Sequence, residues 1–166
     1  MRGSSRSSSK PDGTWLVDVL FDSGIAFQEL LNLHHNGTVT ENNTALNPMS
    51  AGAPPFLTGL DGQGTWQRTP GGNIDVYFYK LVFCGNAVNA GQLPADSPPP
   101  PCAAANKQPG EFYGFLRVRF TANVAGNDID SPHGSGETVL IAGADPLAAP
   151  VLNFGPFTAT GMRLEP

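Results

Sequence analysis

The sequence predicts an all-β protein, an eight-stranded antiparallel barrel of up-and-down order, with a two-sheet β-sandwich as the other arrangement the same strands allow. Three observations carry this. Residues 13–21 place Trp15, Val17, Val19 and Phe21 on one parity, the period-two signature of a strand with one face on a core. Gly-Thr-Trp recurs at residues 64–66 and opens a second extended run, so two strands plant an indole at one end of a shared core. Finally, 20 glycines and 16 prolines in 166 residues fall between apolar runs, where turns belong. Eight antiparallel strands must hide two edges, and closure removes both while leaving an interior that side chains nearly fill or that holds one small ligand.

The strands follow in order. Residues 13–21 form the first, and a short turn at 22–24 leads to residues 26–35, with Phe27, Glu29, Leu31 and Leu33 sharing a parity. Asn36-Gly37 is the strongest two-residue hairpin signal in the chain, since both residues tolerate positive φ, and it leads into residues 38–41. Residues 45–63 carry too much Pro and Gly for regular structure and read as a long loop. Residues 66–69 and 73–84 make the next hairpin around Pro70-Gly71-Gly72. The longer arm is apolar on both parities, so its inward face stays unassigned. Residues 85–110 form an insertion containing Pro98 to Pro101, suited to irregular or polyproline-like chain. Residues 112–122 resume as a strand with Phe112, Leu116, Val118 and Phe120 opposite Tyr113, Arg117 and Arg119, and residues 137–142 and 151–164 complete the set. The domain spans residues 12–166, behind a polar, serine-rich tail at 1–11 with no apolar stretch, read as disordered.

An apolar fraction of 40% is enough for a core. Fourteen acidic against nine basic residues, the latter scattered except for Arg117 and Arg119, exclude a nucleic-acid surface, which needs clustered cations. Those two arginines fit a solvated outer strand face. No run approaches the 18 or so apolar residues of a membrane span. The chain contains no phosphate loop, dinucleotide fingerprint or nucleophile elbow, and no cofactor is implied. Asn36 and Asn42 open glycosylation-type triplets of a kind that chance often produces.

Gly13 and Trp15 opening the first strand of an eight-strand meander resemble the lipocalin-like, or calycin, barrels. The likeness extends through Phe27-Gln-Glu-Leu-Leu-Asn-Leu-His-His-Asn-Gly-Thr-Val-Thr-Glu41 and Gly64-Thr-Trp-Gln-Arg-Thr69 to small bacterial lipocalin-like proteins. It covers residues 13–84 and fades after them, where the Pro-rich insertion and the Gly-rich residues 126–136 depart from the pattern. The resemblance implies a cavity for an apolar ligand, and some barrel relatives are isomerases or cyclases.

Glu29 is the residue most out of place, because alternation turns it toward the interior. A carboxyl there is desolvated and its pKa raised, as a general acid or base near neutrality requires. A β-bulge that turns it outward, or a paired structural carboxylate, is the plainer reading. If inward, Tyr77 or Tyr79 is its expected hydrogen-bond partner, and Tyr79 and His35 join it as candidate proton-transfer residues. Trp15, Val17, Phe27, Leu31, Trp66, Tyr77, Phe78 and Phe154 are the candidate cavity lining for a small apolar molecule. His34 and His35 fall on opposite faces of a regular strand, and with His133 as the only other histidine no metal site is expected. Cys84 and Cys102 bracket the Pro-rich insertion, where a disulfide stabilises by about 3 kcal/mol in the chain-entropy model. A bridge implies an oxidising compartment, secreted or periplasmic, with the chain in mature form, and its absence a cytoplasmic one. The expected assembly is a monomer or small homo-oligomer.

Overall fold

The computed structural model describes residues 10–46, 57–85 and 101–164. The expected tail, apart from Lys10 and Pro11, lies outside the described residues, as do residues 47–56 of the expected loop and 86–100 of the Pro-rich insertion. The strands are β1 Gly13–Phe21, β2 Ala26–Leu33, β3 Thr38–Asn43, β4 Leu57–Gly59, β5 Gly62–Arg68, β6 Ile74–Cys84, β7 Phe112–Ala125, β8 Asp128–Ser131, β9 Gly136–Ala142, β10 Leu152–Asn153 and β11 Phe157–Leu164. One short helix, α1 Pro101–Ala104, lies between β6 and β7.

Every pairing is antiparallel, and the strands close into an eight-stranded barrel. Eleven segments make eight staves because three staves are broken. β4 and β5 pair with successive stretches of β6, β8 and β9 with successive stretches of β7, and β10 and β11 with β9 and β8. β11 then pairs with β1 along its whole length and closes the ring. Closure leaves no long exposed edge to template aggregation.

Alternation sets the inward faces as expected on β1, where Trp15, Val17, Val19 and Phe21 are buried. On β6 the even residues from Ile74 to Cys84 point in, and Tyr77, Tyr79, Leu81 and Phe83 face out. Three expectations are corrected and one further strand, β8, is added. The register shift between Val82 and Phe83 accommodates a bulge at residues 112–114, which buries Tyr113 and turns Phe112 to the outer wall beside Phe83. The segment taken for a loop at 45–63 contributes β4 and the start of β5. β8 emerges from the Gly-rich segment. β2 ends at Leu33, so His34 to Gly37 form the turn, and only Gly37 there adopts positive φ (83°), while the Asn36 side chain accepts hydrogen bonds from the Thr38 amide and hydroxyl.

The interior has two unlike halves. One end holds Trp15, Leu31, Leu33, Val39, Ile74 and Val76, all essentially without solvent exposure. Trp15 plugs it, donating its indole N–H to the Pro11 carbonyl, with the Arg163 guanidinium 4.7 Å over its ring. Trp66 stands half-buried at this same end and donates its indole N–H to the His34 carbonyl. The other end, at the β1–β2 turn, is where the cavity opens.

Candidate functional site

The cavity lies among Val19, Phe21, Phe27, Phe78, Val118 and Phe120, with Ile25, Leu46, Leu57 and Phe154 toward its mouth. Its volume is about 50 Å³, and all unfilled space out to the partly open mouth amounts to about 680 Å³. The smaller figure decides what fits without movement: room for a few non-hydrogen atoms, against the 150 Å³ or so that an apolar cavity needs to take up benzene. A larger guest requires side chains at the mouth to move, and Ile25, Phe27 and Phe154 are only partly buried.

Three charged side chains are buried among the described residues: Glu29 (6% exposed), Glu41 (1%) and Lys80 (3%). They come from three strands. Glu29 on β2 pairs across to Asn43, and Glu41 on β3 lies opposite Leu31, so the two carboxyls are diagonal neighbours on one inward face. Lys80 is two staves away on β6. Glu41 reaches it because the intervening inward residue is Gly62, where a Cβ would stand 2.8 Å from both Glu41 Oε2 and Phe78 Cδ2. The Lys80 Nζ to Glu41 Oε2 distance is 2.6 Å, and Asn43 Nδ2 donates to Glu41 Oε1 at 2.7 Å.

Glu29 stands at the cavity wall beside Glu41. Burial foremost, then the negative charge of Glu41, raise its pKa well above the ordinary 4.5, while Lys80 opposes them. Charge counting agrees: one ammonium compensates one carboxylate, and a second uncompensated anion in this apolar setting costs several kcal/mol. Burial and the neighbouring carboxylate therefore favour the protonated form of Glu29. The arrangement sets a buried carboxyl, its protonated form favoured, in the wall of an apolar hollow beside a buried ion pair.

Of the candidate residues named from the sequence, Glu29, Phe27, Phe78 and Phe154 meet at this cavity. Trp15, Val17 and Leu31 are buried in the filled half, and Trp66 stands at its rim, so the indoles converge at one end of the core and the hollow lies at the other. The expected tyrosine partner of Glu29 is corrected, because Tyr77 and Tyr79 occupy the outward parity of β6. They bond to each other there, hydroxyl to hydroxyl, at 2.6 Å. Tyr79 instead borders a wide shallow depression of about 620 Å³ on the outer wall with Leu60, Leu81 and Phe115. His35 sits at the β2–β3 turn tip, its side chain 92% exposed and 3.3 Å from Asp12, remote from the cavity.

Glu41 and Lys80 are the residues that sequence reading missed. The available signal was their parity: Glu41 shares that of Val39, and Lys80 that of Ile74, Val76 and Phe78. Among the described residues no three His, Cys, Asp or Glu side chains gather as metal ligands. Cys84 and Cys102 form a disulfide, with Cα atoms 5.8 Å apart, joining the cavity end of β6 to α1.

Fold and site together define a closed antiparallel β-barrel with an apolar hollow at one end and a buried acid in its wall. Comparison with protein-family models, with curated proteins and with solved structures finds no match to this chain.

Proposed function

We propose that this protein binds a small hydrophobic molecule in the open end of its barrel. The observation that carries the reading is the contrast within one interior, where one half is filled to exclusion and the other is left hollow behind aromatic side chains. Natural cores close such voids, since each missing methylene removes transfer and dispersion energy. Apolar burial at about 25 cal/mol per Å² supplies the affinity, and the Glu29 carboxyl orients the guest. The eight-stranded closure is compatible with the lipocalin-like resemblance of residues 13–84. The Cys84–Cys102 bridge supports an extracellular or periplasmic setting. No helix among the described residues is long and apolar enough to cross a membrane.

The test is uptake of xenon or benzene followed by amide shifts. Binding moves the resonances of Val19, Phe27 and Val118 and leaves those of Val39 and Val76 at the filled end in place. Absence of any localised shift at saturating probe removes the proposal.

A second reading, a cofactor-independent isomerase or cyclase acting on an apolar substrate such as a polyene, fatty acid or polyketide-like chain, is favoured by one specific observation. A buried carboxyl whose protonated form is favoured, in the wall of a desolvated hollow, is suited to general-acid catalysis. Glu29→Gln separates the two: a binder keeps its affinity within about tenfold, and a catalyst loses about a hundredfold or more in rate.

A further inference from the structure

The outer wall of β6 and β7 carries an apolar face that the interior does not use. Alternation turns Tyr77, Tyr79, Leu81 and Phe83 outward on β6, and the register sets Phe115, Arg117 and Arg119 beside them on β7. Tyr79, Phe115 and Phe112 meet edge to face, with ring centroids 6.3 and 5.5 Å apart, so the face is stiff before anything touches it.

Part of this wall is already covered. Val139 and Ile141 on β9 pair with Arg117 and Phe115 and share their outward side, yet both are buried. The connection from β9 to β10 covers them, leaning across β7 until the Pro146 carbonyl oxygen stands 3.5 Å from the Tyr79 hydroxyl. Beyond Tyr79 the cover stops and the depression of about 620 Å³ begins, floored by Tyr79, Leu81 and Phe115 and rimmed by Leu60 and Asp61. A ridge and a depression thus lie on opposite sides of Tyr79. On the ridge, Leu147 is 81% exposed, more than any other large hydrophobic side chain among the described residues.

The charges follow the same symmetry. Tyr79 pairs with Gln63 on β5 and with Arg117 on β7, and both strands run antiparallel to β6, hence in one direction. Asp61 lies two residues before Gln63 and Arg119 two residues after Arg117, so they are displaced from Tyr79 to opposite sides and opposite ends. A two-fold axis through Tyr79, normal to the wall, carries Asp61 of one copy onto Arg119 of the other and the reverse. It sets Arg117 opposite Gln63, bringing no like charges together. The Arg119 side chain is 62% exposed, with Glu137 at 3.4 Å.

We propose that this face pairs with the same face of a second copy about that axis, Leu147 of each entering the depression of the other and Asp61 of each meeting Arg119 of the other. Such an interface is isologous and closed, which a self-complementary patch requires. The strip from Tyr77 to Phe83 is about 20 Å long and the strands stand about 4.8 Å apart, so the contact belongs with the small interfaces and the dimer is reversible, with Kd of about 10–100 µM. The pairing is independent of the ligand reading, since the face lies outside the wall and the hollow inside it.

Sedimentation equilibrium of the full-length protein with its disulfide intact, from about 5 µM to about 1 mM, tests it. The expected result is a monomer–dimer equilibrium. Leu147→Asp weakens it about tenfold or more. Asp61→Arg and Arg119→Asp each weaken it at least about threefold, and the two together return it to within about threefold of the wild type, because the pair re-forms with its signs exchanged. All three side chains are exposed, so the fold tolerates the changes. Monomer mass throughout the range overturns the inference, whatever else then occupies the face. A dimer indifferent to the three single substitutions joins through another surface and overturns it as well. A double variant no stronger than the single ones removes the two-fold placement and the inference with it.

Discussion

At the end of the barrel that holds the start of β1, Trp15 is wholly buried among Leu31, Leu33 and Val39 and is covered by Pro11 and Arg163. At the other end the strands enclose Phe21, Phe27, Phe154 and Phe157 around space that nothing fills, with a Lys80–Glu41 ion pair and a disulfide close by. Both ends belong to the same eight staves, so backbone hydrogen bonding does not distinguish them. The difference is in what holds each together. Dispersion and apolar burial serve the filled end. The hollow end forgoes part of that packing and relies on a buried ion pair, whose geometry has to be good to offset its desolvation, and on a covalent tie.

The largest effect that can break this comparison is Lys80→Met. It strands Glu41 beside Glu29 in an apolar interior, and a loss of about 3–5 kcal/mol is expected by chemical denaturation under non-reducing conditions. Pairing it with Glu41→Met restores most of that loss, because an apolar pair of similar volume leaves no orphan charge. If the single substitution is neutral, the ion pair is not what supports the hollow end.

Next in size is a matched pair of truncations. Trp15→Ala in the filled half costs about 3–5 kcal/mol, whereas Phe154→Ala, at the mouth and only partly buried, costs about 1 kcal/mol and tightens benzene binding by enlarging the cavity. Equal costs at the two positions erase the distinction between the ends.

The smallest effect sharpens it. Burial of Glu29, with the Glu41 charge added and Lys80 opposing, lifts its pKa well above 4.5. The folded chain therefore keeps a proton that the unfolded chain releases, and stability falls as pH rises from about 4.5 through the raised value. Below 4.5 both states are protonated and this contribution is fully present. Glu29→Gln removes that part of the slope, so the variant gains on the wild type as pH rises across this window. Parallel curves for the two proteins place the Glu29 carboxyl in solvent.

Much of this was legible in the residues. The alternation in β1 and β2 announced an inward face, and it turned Glu29 inward along with Phe27 and Leu31. The bracketing of a Pro-rich segment by Cys84 and Cys102 announced the bridge, and the turn punctuation announced a closed barrel. β6 resisted because its outward residues, Tyr77, Tyr79, Leu81 and Phe83, are as apolar as its inward ones, so the pattern lost its contrast. Lys80 was hidden by the same uniformity.

What the sequence by itself determined is which residues of a regular strand share a side of the wall, because a pleat of period two is a local property of the chain. Only the tertiary structure decided how high on the barrel axis each inward residue sits and whom it meets across staves. Stave tilt and stagger, the bulge at Tyr113 and the gap at Gly62 fix those heights, and they arise from pairings between residues far apart in the chain. For that reason Trp15 and Glu29, two residues on one inward face, ended in opposite halves, and Glu29 found Glu41 and Lys80 instead of a tyrosine.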